Sequence, residues 1–150
     1  MKTFIVRTGS ALMALCFFLS FFRSARIVLS PAGLAFGKYA SAFLIDANPM
    51  AALILMLPAL TVLVSAREAT RRFEDAAALV LTGLYLATVA CFEAWMRAET
   101  VGRIAVDRAF GYWFAIAAAV LVLAALFYHY TRKFVELIRD AVRRRRQPPA

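Results

Sequence analysis

The sequence predicts an all-α integral membrane protein built as a bundle of four transmembrane helices. Three observations predict it. Hydrophobic residues make up 63% of the chain and charged residues 18%, where soluble domains hold about 45–50% and 25%. The apolar residues gather into four runs, each near the ~20 residues needed to cross a hydrocarbon core of about 30 Å. The charged residues fall between the runs and after the last one.

The net charge is +9, and Arg supplies fifteen of the eighteen basic residues. A balance this basic can serve nucleic acid. Here the basic residues flank apolar runs, which is the pattern of membrane orientation and of attraction to anionic lipid. No nucleic-acid partner is expected. One membrane-embedded domain is expected over residues 1–146, followed by a disordered tail at 147–150.

The first span is expected at residues 4–22. Lys2 and Arg7 ahead of an apolar run also suit a signal peptide. Phe21, Phe22 and Arg23 stand where a small-residue cleavage site belongs, so the helix reads as uncleaved, with Arg7 snorkelling to the interface.

Ser30-Pro31 opens a further helix, with Ser as N-cap and Pro at the first helical position. A helix over residues 31–45 would measure about 22 Å, which is short for a span. It reads as a re-entrant or interfacial helix, with a fifth span as the alternative. Gly33, Gly37 and Ser41 recur every fourth residue and would give it a smooth packing face.

Asn48-Pro49 repeats the start signal and opens the second span, 49–66. Pro58 removes a backbone donor inside it and should kink it. The third span is expected at 76–96 and the fourth at 109–130. Trp95 and Trp113 mark one interface, Tyr128 and Tyr130 the other.

Beyond the fourth span, Phe134, Leu137, Ile138, Ala141 and Val142 recur at helical spacing, with charged residues between them. An amphipathic basic helix is expected over 131–146, lying along the membrane surface. Its Arg139, Arg143, Arg144, Arg145 and Arg146 would contact anionic lipid or a partner protein.

With four spans, twelve basic residues fall on the side holding both termini and six on the other. The richer side should be cytoplasmic. The Ala- and Arg-rich composition suggests a bacterial inner membrane.

Few residues offer chemistry. Glu93 stands four residues before Arg97, so the two can pair on one helical face near the outer end of the third span. Gly83 and Ala87 offer a packing face on the same helix. His129 is a lone histidine between two tyrosines and reads as interfacial. Cys16 and Cys91 lie inside apolar runs, where burial keeps thiols inert. No catalytic, phosphate-binding or metal pattern occurs, so no cofactor is expected. The expected function is that of a non-catalytic accessory, assembly or interaction subunit. Its partner would be another membrane protein or a second copy. A homo-oligomeric channel or transporter is the alternative. An enzyme working at the outer interface through Asp46, Glu93 and Asp107 is the third reading.

Overall fold

A computed structural model of the chain describes residues 2–24, 27–38, 45, 47–66, 73–100 and 106–146. Side chains are described as far as Arg139. Ser41, Asp46, residues 67–72 and residues 147–150 lie outside the described residues. So do the side chains of Arg143, Arg144, Arg145 and Arg146.

The chain is mostly helical. Helix α1 runs Lys2–Leu15 and tightens into a 3-10 turn at Cys16–Phe18. A short helix, α2, covers Pro31–Ala35. A 3-10 turn at Pro49–Ala52 leads into α3, Leu53–Ala66. Helix α4 is Glu74–Thr100 and α5 is Phe110–Arg146. Three stretches are long and apolar enough to cross a membrane: Pro49–Ala66, Glu74–Thr100 and Phe110–Arg139. These match the second, third and fourth expected spans, and the build is that of a membrane-embedded helical protein.

The helices form a ring. Helix α1 packs against α3 and α5, α3 against α4, and α4 against α5. Buried Val6, Met13, Ile54, Tyr85, Val89, Val122 and Leu126 fill the centre. Apolar side chains such as Leu60, Leu84 and Leu121 face outward, as a hydrocarbon solvent requires. Helices α1 and α5 approach each other closely. A Cβ built on Gly9 would come 2.5 Å from Val122 Cγ2, and Ala115, Ala118 and Ala119 keep that side of α5 small and buried.

The first apolar run departs from expectation. Its helix stops at Phe18 rather than at residue 22. Phe22–Arg23 instead forms strand β1, the centre of a three-stranded antiparallel sheet with β2 (Val28–Leu29) and β3 (Asp107–Arg108). Phe22 pairs with Leu29 on one side and Arg108 on the other. The physical reason is composition. Phe17, Phe18, Phe21 and Phe22 crowd the end of the run, and aromatic residues favour extended backbone that can pack on a face. A short apolar run does not distinguish helix from strand by its pattern.

The segment after it also departs. Ser30 caps α2 as expected, its Oγ accepting from Gly33 N at 3.1 Å. The helix then ends after five residues. Gly37 takes φ +67. Its N–H donates to Leu34 O at 3.3 Å, and Lys38 N–H donates to Gly33 O at 2.8 Å. That pair of bonds is a Schellman termination, which glycine favours because it has no Cβ to clash. Gly33 and Gly37 therefore do not share a helical stripe. Gly37 is where the helix stops, so no continuous helix runs from 31 to 45.

Asn48 caps the next element, with Oδ1 accepting from Met50 N at 2.9 Å. The last expected pair of helices is one. Residues 131–146 continue α5 without interruption, since no Gly or Pro lies between Gly111 and Pro148 to break it.

Candidate functional site

Polar side chains collect at two levels of the ring. The level near the end of α4 is built by three elements. Helix α4 brings Glu93 and Arg97, β3 brings Arg108, and the first turn of α5 brings Tyr112. Pairing of β3 with β1 holds Arg108 in place. Ala109 N donates to Phe21 O at 2.8 Å and Gly111 N to Ser20 O at 2.9 Å. A Cβ on Gly111 would come 2.5 Å from Ser20 O, so only glycine lets the two segments approach this closely.

Glu93 is the hub and is only 8% exposed. Its Oε1 accepts from Arg97 Nε at 3.0 Å and from Arg108 Nε at 2.9 Å. Its Oε2 accepts from the Tyr112 hydroxyl at 2.6 Å. The Arg108 guanidinium also lies 5.3 Å from the centre of the Tyr112 ring and 5.5 Å from that of Trp113. Its pKa is pushed above the ordinary arginine value, chiefly by the hydrogen bonds to Glu93. With both carboxylate oxygens accepting, Glu93 is a clamp between α4, β3 and α5. The sequence spacing finds Arg97. It cannot find Arg108 or Tyr112, because only the sheet brings them near.

Phe22 packs against both Phe92 and Tyr112, with ring centres 5.8 and 6.2 Å away. Trp95 stacks on Phe92, and Trp113 is exposed. The clamp is thus walled by the aromatic rings of Phe22, Phe92, Tyr112 and Trp113.

The other level, at the start of α4, joins four elements. Lys2 at the start of α1 pairs with Asp75 at the start of α4. His129 Nε2 stands 3.7 Å from Asp75 Oδ2. Arg7 donates to the Ser65 carbonyl at the end of α3, one of the carbonyls that a helix end leaves without an internal partner. A cation there also meets the negative end of the helix dipole.

The remaining expected residues fall as follows. Gly83 lies on an exposed face of α4, where an added Cβ would meet nothing within 4 Å. Cys16 is buried, with Sγ 3.1 Å from Leu12 O. Cys91 lies on the outward face of α4. Arg139 is exposed. Among the described residues no cluster of His, Cys, Asp or Glu could hold a metal ion.

No protein-family model, curated protein or solved structure matches this chain. The chemistry of the chain itself is the ground on which function can be argued.

Proposed function

We propose that this protein is a non-catalytic interaction subunit of a bacterial inner membrane, with four spans and both termini in the cytoplasm. Helix α1 is the first span in this reading and brings the three long helices to four. Its first residue pairs with Asp75 at the start of α4, and its end hands over to β1 at the level of Glu93. Between those levels α4 rises about 27 Å, close to the hydrocarbon thickness. Helix α1 and its 3-10 turn cover about the same height. The positive bias of the terminal side supports the cytoplasmic orientation.

The uncovered face of α4 carries the functional reading. Gly83, Ala87, Cys91, Ala94 and Ala98 lie on it, all exposed. One turn before Gly83, Leu79 lines an apolar groove of about 500 Å³ with Val120, Leu123, Ala124, Phe127 and Tyr130 of α5. A smooth helix face beside a groove suits a transmembrane helix of another protein, since close packing of small residues drives association in lipid. The Glu93 carboxylate is fully engaged, which supports an anchoring role over proton transfer or hydrolysis. The tight centre around Met13, Tyr85 and Val89 does not favour a conduction path within one chain.

The test is purification in mild detergent of the natural protein and of Gly83→Leu, with co-eluting proteins identified. A stoichiometric membrane partner kept by the first and lost by the second is expected. A well-folded natural protein that elutes with no other chain would overturn the reading.

A further inference from the structure

The end of α5 stands apart from the bundle. Every described residue from Thr131 to Arg139 is exposed. Phe134 is 64% exposed and Leu137 68%, and Val135 and Ile138 complete an apolar stripe along one side. Arg132, Lys133, Glu136 and Arg139 occupy the other side, where Arg132 Nε donates to Glu136 Oε1 at 3.0 Å, leaving Lys133 and Arg139 to face outward. Residues 131–146 hold seven basic residues against two acidic ones.

Two coverings suit such a stripe. One is the surface of an anionic bilayer, which needs the helix to lie flat. The other is a protein helix. The continuity of α5 decides between them. An unbroken helix leaving the bilayer keeps the direction of its span, and spans tilt by about 20° on average. Ile138 then stands about 12 Å beyond Tyr130. The headgroup layer of one leaflet is only about 5–8 Å deep. The stripe is carried through that layer into water, where an uncovered apolar face is unfavourable. A second copy would bring the same excess of positive charge against it, which opposes close pairing.

We infer that the α5 extension is a docking site for an acidic amphipathic helix of a partner protein. The partner's apolar stripe covers Phe134, Leu137 and Ile138, and its carboxylates meet the flanking Arg and Lys side chains. This rests on the interaction-subunit reading and adds the chemistry of the partner's cytoplasmic part.

The experiment uses the full chain in phosphatidylcholine nanodiscs, in a Cys91→Ala background carrying Ile138→Cys with a fluorescent label. The probe is a three-heptad peptide with a Leu stripe flanked by Glu. Saturable binding is expected. It should weaken about tenfold, near 1.4 kcal/mol, with Leu137→Asn, and it should fall as salt rises. A scrambled peptide of equal composition should bind at least about tenfold less. Equal binding of the scrambled peptide would overturn the proposal, because charge alone would then explain it. Burial of the label in phosphatidylglycerol-containing nanodiscs without peptide would make the bilayer the occupant. Self-pairing detected between labels would make it a second copy. Loss of peptide binding with the Gly83-dependent partner retained would overturn this inference alone. Peptide binding with no Gly83-dependent partner would overturn the α4 reading alone.

Discussion

Arg108 shares the Oε1 atom of Glu93 with Arg97, although it lies fifteen residues further along the chain than Glu93. That one oxygen ties the end of α4 to the strand that leads into α5. Arg97 sits on the same helix as Glu93 and is 66% exposed at its side chain, so its bond adds little to tertiary structure.

Glu93 and Arg97 should therefore differ on mutation. Glu93→Ala leaves both guanidiniums without their acceptor and should cost about 2–3 kcal/mol, below the usual range for a fully buried pair. Arg97→Gln should cost less than about 1 kcal/mol, as exposed helical pairs do. Thermal unfolding in detergent measures both. Equal losses would mean that Arg108 does not depend on Glu93.

Gly9 and Gly83 should respond in opposite directions to the same change. Gly9→Ala forces a methyl group against Val122, and overpacking of this kind costs about 1–3 kcal/mol. Gly83→Ala meets open space. It should stabilise the isolated protein by about 0.5–1 kcal/mol through helix propensity. Unfolding curves of the two purified variants are the check.

Leu34 and Gly37 reverse the order that a helical glycine stripe would give. Leu34 is fully buried, and Leu34→Ala should cost about 2–5 kcal/mol. Gly37→Ala places a side chain at positive φ and should cost about 1–2 kcal/mol. Comparative melting decides the order. A larger loss at Gly37 would point to a close contact of Gly37 rather than a helix stop.

The three long helices were legible because their apolar runs are long, and the first of them also because Asn48 and Pro49 mark its start. The pair of Glu93 and Arg97 was legible because it is local. What escaped depends on distant backbone. Phe21 and Phe22 read as the last turn of a helix until β3 is known to lie beside them. Tyr112 carries no signal in its spacing, because only the fold brings its hydroxyl to Glu93. Gly37 reads as part of a stripe because spacing cannot reveal a positive φ. The importance of Gly9 rests on Val122, more than a hundred residues away in sequence.

In the proposed topology α1 crosses the bilayer with the other three helices, which puts both ends of the chain on one side. Reporter fusions at residue 2 and residue 150, each paired with a periplasm-active and a cytoplasm-active reporter, test it directly. Cytoplasmic signal at both positions is the predicted result. Periplasmic signal at residue 2 with cytoplasmic signal at residue 150 would contradict it, and would separate α1 from the bundle that the Lys2–Asp75 pair closes.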